Sequence, residues 1–197
     1  MKERPILFST EMVKAILDLE KTQTRRPIKP QLLSGRSIKK YGDGNEWVVY
    51  ADYDPIVSLY RFKCPYGQVG DRLWVRETWC CDCHDPETMS HNDIDVCFKA
   101  SVETQPASDF CTKWHPSIHM PRWASRILLE ITEVKAERIQ DISWEDIKQE
   151  GIDSNHKNHH NDICYFTSLW NSIYASRGYS FESNPWVFPI EFKVVKA

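Results

Sequence analysis

The chain has 197 residues, the length of one generous domain with room for a sizeable core. A hydrophobic fraction of 41%, an aromatic fraction of 12% and eight tryptophans exclude a disordered chain. A formal charge of -3 argues against a blanket polyanion binder, because non-specific duplex binding rests on many Lys and Arg contacts to phosphate; any nucleic-acid contact must be local.

The opening MKERPILFSTEMV has neither a long apolar stretch nor a small-residue cleavage site, and no later run is apolar enough to span a bilayer, so a cytoplasmic protein without membrane contact is expected. After Ser9 and Thr10, the spacing of Met12, Val13, Ile16 and Leu17 predicts an amphipathic helix with a Ser/Thr start, which places Lys21 at its end. Pro27 and Pro30 then impose an extended path. Residues 21 to 40 carry Lys21, Arg25, Arg26, Lys29, Arg36, Lys39 and Lys40 without an acidic residue, the one strong charge asymmetry in the chain.

EWVVYA (46 to 51) and RLWVRETW (72 to 79) are rich in β-branched and aromatic residues and predict strands, with the turn PYGQVGD before the second. From Cys80 to about Pro116 the pattern breaks into polar residues and short apolar patches, a loop-rich insertion rather than a domain. SRILLEITEVKAERI predicts a long central strand with Ile127, Leu129 and Ile131 on one face. In ISWEDIKQEG, Ser143 as N-cap, Asp146 three residues on and Gly151 as stop predict a short helix. Ile163, Phe166, Trp170, Ile173 and Tyr174 follow helical spacing after a polar His-rich loop, and WVFPIEFKVVK reads as a last strand. Strands interleaved with few helices, without regular βαβ alternation, predict a single α+β domain over residues 1 to 197, built on a mixed or barrel-like sheet.

Four groups of residues could carry chemistry. Lys21 and Thr24, three apart, would share a face if the helix persisted through them, pairing a base with a nucleophile; the competing reading is a solvated basic helix end. Glu150 lies just before Gly151, where the helix dipole disfavours a carboxylate. Cys80 and Cys83 followed by Cys111 and His115 have the spacing of two zinc half-sites, against which stand ordinary reduced cysteines; seven cysteines without an export signal favour reduced thiols or a metal over a disulfide framework. HPSIHMPRWASR sets Arg122 beside Trp123, a pair suited to gripping a phosphate and stacking on a base, and equally to ordinary packing.

The runs PILFSTEMVKAILDLEKTQTRRPIKP, CPYGQVGDRLWVRETW, PSIHMPRWASRILLEITEVKAERIQDIS and NPWVFPIEFKVV together resemble the ASCH-domain proteins found widely in phages and prophages. That resemblance covers most of the chain. It implies a PUA-like mixed β-barrel with flanking helices, and recognition of RNA or a modified nucleoside in the barrel cleft. The family's signature is G-x-K with an arginine five residues after the lysine; Lys21 and Arg26 match it, while Leu19 stands in place of the glycine. Some small ASCH proteins remove the acetyl group from N(4)-acetylcytidine with a lysine, a threonine three residues later and a glutamate, which by similarity correspond to Lys21, Thr24 and Glu150. The implied roles are Lys21 as general base, Thr24 as nucleophile and Glu150 acting on the cytosine side, with no metal or cofactor required. Arg26, Arg122 and Trp123 are the expected ligand contacts. RNA cleavage, also linked to related proteins, and a purely protein-binding role in a phage are further alternatives.

Overall fold

A computed structural model describes residues 1–32, 36–42, 45–51, 54–81, 95–102, 113–152 and 159–196. The chain is α+β. Its main sheet contains β1 (Glu3–Leu7), β2 (Gln23–Pro27), β6 (Arg72–Arg76), β9 (Leu128–Val134), β10 (Glu137–Arg138) and β11 (Trp186–Lys196). The order is β1-β6-β9-β11-β10, with β2 also on β11, and the sheet curls strongly into a half-barrel. Only β1 and β6 run parallel; β6 with β9, β9 with β11, and β11 with β2 and β10 are antiparallel. Two register shifts along β11, at Glu191/Phe192 and Val194/Lys196, accompany the curvature, since each inserted residue bends its strand.

A second sheet joins β3 (Arg36–Tyr41), β4 (Glu46–Ala51) and β5 (Asp54–Lys63). Ile38, Trp47 and Val49 from this sheet are buried in the main core, where Trp47 and Phe62 meet Phe188 of β11 with ring centroids 5.6 and 5.9 Å apart. The predicted strand over 46 to 51 is β4, whereas β3 and β5 carry no clear alternation in sequence and were not foreseen.

Among the described residues, three α-helices flank the sheets: α1 (Thr10–Leu17), α2 (Trp144–Gln149) and α3 (His159–Tyr174). Ser9 caps α1 by accepting from the Met12 amide, and Val13, Ala15 and Ile16 are buried. In α2 the Ser143 side chain accepts from the Asp146 amide and the Asp146 carboxylate accepts from the Ser143 amide, a full capping box. Ile139, Ile147, Phe166, Trp170 and Tyr174 close a second core between α2, α3 and β11.

The predicted strand of residues 72 to 79 divides in two. β6 ends at Arg76, and Trp79 begins β7 (Trp79–Cys81), which pairs antiparallel with β8 (Val96–Phe98). The insertion is therefore more than loops in its described part, because Trp79, Cys81, Met120 and Ala124 form a third core against which Val96, Phe98 and Trp123 pack. Of the zinc candidates, Cys83 and Cys111 lie outside the described residues. Similarly, the single long strand expected over 125 to 139 is β9 followed by the short β10, with Ile127, Leu129 and Ile131 buried as their alternation predicts.

Candidate functional site

Lys21 is not on a helix. α1 closes at Leu17, and Leu19 takes φ +62, the left-handed conformation that glycine adopts most easily. Leucine thus holds a glycine-like backbone at this turn. The Glu20 and Lys21 amides both donate to the Ala15 carbonyl at 2.9 Å, and the chain leaves the turn extended. Lys21 then forms an isolated antiparallel bridge with Glu150, which the Thr22 amide reinforces by donating to the Gln149 carbonyl at 2.8 Å.

Glu150 is the C-cap of α2, and Gly151 follows with φ +78. A Cβ at Gly151 would come within 2.8 Å of the Cβ atoms of both Ala15 and Lys21. Glycine thus serves twice here, for its positive φ and for the close approach of the two segments. The bridge aims the Lys21 side chain at the helix end, where Nζ donates to Glu150 Oε2 at 2.6 Å and to the Glu150 carbonyl at 2.7 Å. The lysine side chain has no exposed surface and that of Glu150 has 8%. Burial pushes the Lys21 ammonium below its ordinary pKa, opposed by the charge and hydrogen bond of Glu150. The dipole cost foreseen for a carboxylate at this helix end is offset by Lys21 and by Arg25, whose Nη1 lies 3.3 Å from Glu150 Oε1.

β2 sends alternate side chains to opposite sides. Gln23 and Arg25 face α2 and β10. Arg25 reaches Glu137 at 2.9 Å and Asp146 at 3.2 Å and donates to the Gln23 side chain, while Gln23 also donates to Asp146 at 3.1 Å. Burial raises the Glu137 pKa and Arg25 opposes the rise. On the other side, Arg26 donates to the Tyr174 hydroxyl at 2.8 Å and to the Leu7 carbonyl at 2.7 Å, with its guanidinium 5.2 Å from the Phe8 ring centroid.

Two cavities meet at Arg26. One is an inner recess of about 20 Å³, room for a single water, with Thr24, Arg25, Glu150, Phe166, Leu169 and Trp170 in its walls. The other is an open cleft of about 540 Å³, walled by Phe8, Tyr66, Tyr179, Lys29, Arg76 and Arg177 among others. Met12, Arg26, Ile173 and Tyr174 belong to both, so the Arg26–Tyr174 hydrogen bond lies on the partition between them.

The structure thus brings Thr24, Glu150 and Arg26 to one place, with Lys21 directly behind Glu150. Lys21 lines neither cavity, and among the described residues no hydrogen bond joins it to Thr24. Arg122 and Trp123 lie elsewhere. Arg122 pairs with Glu3 at 2.9 Å on the surface, and Trp123 packs edge-on to Trp79 with ring centroids 6.0 Å apart in the third core. Of the zinc candidates, Cys80 is disulfide-bonded, as is Cys81, against the expectation of reduced thiols. His115 exchanges backbone hydrogen bonds with Trp79 and lies against its ring at 5.2 Å. Cys64 and Cys97 are free, and burial pushes the Cys64 thiol up to about 11. Sequence reasoning missed Phe8, Tyr66, Tyr174 and Tyr179 as cleft residues; Tyr174 was legible only as one of the apolar-face positions of α3, which leaves its hydroxyl unaccounted for.

No family model matches the chain, and comparison with curated proteins and with solved structures found no match. No helix among the described residues is long and apolar enough to cross a membrane.

Proposed function

We propose that the chain is an ASCH-type, PUA-like protein that holds a base of RNA or a modified nucleoside in the open cleft. The observation that carries this reading is the composition of that cleft: about 540 Å³, a volume suited to a nucleoside, with four aromatic residues and Arg26 in its walls. Aromatic faces accept any base by stacking, and guanidinium groups supply hydrogen bonds to its edges or to the backbone. Titration calorimetry of the purified chain with short single-stranded RNA and with N(4)-acetylcytidine tests the reading. Binding of either that weakens at least about tenfold in Arg26→Gln supports it, since loss of a charge-assisted contact is of that order; binding of neither sinks it.

The second reading is hydrolysis of the N(4)-acetyl group, favoured by the shared recess of Thr24 and Glu150 with Lys21 behind. In that reaction the Thr24 hydroxyl attacks the acetyl carbonyl and the cytosine amine leaves with a proton. Water then cleaves the acyl-threonine, releasing acetate. Lys21, whose pKa burial lowers against the opposing charge of Glu150, is the candidate base and works through Glu150, its hydrogen-bond partner. Because the recess holds only one water, the acetyl group can enter only if Arg26 and Tyr174 separate. Chromatography of N(4)-acetylcytidine incubated with the protein decides the matter: cytidine formed by the wild type and lost in both Thr24→Val and Glu150→Gln is the expected result. No cytidine at high protein concentration refutes the hydrolase and leaves the binding reading.

A further inference from the structure

We infer that the ligand of the open cleft carries a phosphate, so that the cleft selects nucleotides over free nucleosides; this rests on the base-binding reading above and narrows its substrate class. Four cations converge on the cleft: Arg26 from β2, Lys29 just beyond it, Arg76 at the end of β6 and Arg177 after α3. No aspartate or glutamate is among the described residues that wall it.

Arg26 feels the charge of Glu150 but does not pair with it. Arg26 gives its two terminal nitrogens to the Tyr174 hydroxyl and the Leu7 carbonyl, both uncharged, and Arg76 gives its Nε to the Met120 carbonyl at 2.9 Å. Among the described residues none of the four makes an ion pair, whereas Arg4, Arg25, Arg61, Arg122 and Arg126 all do. Arg177 alone has a local explanation, because a cation after a helix meets the negative end of its dipole. Arg26 and Lys29 share one segment and Arg76 comes from another, and none of the three has such an account. Four like charges round one concavity repel each other, and a bound anion relieves that repulsion.

The aromatic and cationic groups are interleaved. Lys29 Nζ stands 5.7 Å from the Tyr179 ring centroid, and the Arg26 guanidinium 5.2 Å from that of Phe8. A base lying on one of these rings therefore has its phosphate within reach of a guanidinium or ammonium, the arrangement by which proteins grip a nucleotide at both ends. The phosphate belongs either to a mononucleotide or to an RNA strand, and the chemistry of the walls is the same for both.

The test is calorimetric titration of the full chain with the four common ribonucleosides, their 5′-monophosphates and a short mixed-sequence RNA. The wild type is expected to bind at least one monophosphate about tenfold or more tightly than its nucleoside, as a charge-assisted phosphate contact provides. That ratio falls toward one in Lys29→Gln and Arg177→Gln, both exposed and so tolerant of substitution. It is unchanged in Lys193→Gln, a surface cation on β11 outside the cleft. RNA binding tighter than any mononucleotide assigns the phosphate to a strand, equal binding assigns it to a single nucleotide, and both support the inference. Equal affinity for nucleoside and monophosphate overturns it while leaving base binding intact. Failure of every base-bearing ligand to bind overturns both.

Discussion

Replacing Glu150 by glutamine removes the countercharge of a fully buried lysine. The amide retains the shape of the carboxylate, and the carbonyl that accepts from Nζ at 2.7 Å remains, so Lys21 keeps dipolar partners but no anion. Breaking one side of a buried pair costs about 3–5 kcal/mol, and the retained acceptors place Glu150→Gln near the lower end, about 3 kcal/mol at neutral pH. Burial already holds Lys21 below its ordinary pKa, and the charge and hydrogen bond of Glu150 are what oppose that shift. In the variant the folded-state pKa falls further, and the unfolded chain binds more protons than the folded one over a wider interval below the ordinary lysine value. Stability then rises with pH through that interval. The cost of the substitution is therefore greatest near neutral pH and shrinks as pH rises through the folded-state pKa values of Lys21 toward the ordinary lysine value. Urea unfolding followed by tryptophan fluorescence at about pH 7 and about pH 10 measures both values. Lys21→Met combined with Glu150→Gln should recover part of the loss, since no buried charge is then left unpaired. A loss below about 1 kcal/mol at neutral pH, or one that does not change with pH, refutes the account of Lys21 as a desolvated cation dependent on Glu150.

Leu19→Gly should stabilise the chain by up to about 1 kcal/mol, read by urea unfolding, because Leu19 holds φ +62 while 70% exposed and so loses little packing when truncated. Gly151→Ala should cost about 2–3 kcal/mol in the same assay, because its Cβ would fall 2.8 Å from those of Ala15 and Lys21 on a backbone at φ +78. Asp71 ties β1 to β6 by accepting from the Lys2 amide and the Arg4 guanidinium, each at 2.8 Å. Burial alone would raise its pKa, but these donors and the Gln68 amide hold it below the ordinary carboxylate value. Its stabilisation is thus present above the unfolded value and is lost as pH falls through the folded one; Asp71→Asn should flatten the acid limb of stability against pH.

Local signals foretold α1, α2 and β4 because their information lies within a few residues: a Ser cap, a capping box, a β-branched run. The site was only half legible. Lys21 and Thr24 suggested helical neighbours, yet Lys21 is held by Glu150, 129 residues away in sequence, and Thr24 shares a recess with that glutamate; no spacing rule spans such a distance. Leu19 explains the misreading: the helix ends at Leu17, the last residue of its apolar face, and does not run on to Lys21, because an exposed leucine takes a conformation that propensity assigns to glycine. Arg122 and Trp123 show the opposite failure. Adjacent aromatic and cationic residues have the composition of a binding patch, but one pairs with Glu3 and the other fills a core that β7 and β8 create. The aromatic walls of the open cleft come from α3 and three connections, those holding Phe8, Tyr66 and Tyr179, so only the folded topology assembles them.

A buried ion pair is weak evidence for stability, since well-packed apolar residues often replace such pairs without loss. What the charges on β2 do is divide one strand between two tasks. Gln23 and Arg25 hold the carboxylates of α2 and β10, Arg25 also reaching Glu150 at the edge of the recess, while Thr24 lines the recess and Arg26 alone of the four also lines the cleft. A slip of one residue in the pairing of β2 with β11 would exchange these sides, turning Arg26 onto Glu150 and Arg25 into the cleft. The register is pinned at both edges just before the strand: the Thr22 amide donates to Gln149, and the Phe192 amide donates to the Thr22 carbonyl at 2.9 Å. The Lys21–Glu150 bridge belongs to the same clamp. The buried pair therefore bears on the cleft through backbone register, fixing which arginine faces the ligand, whether or not Lys21 ever moves a proton.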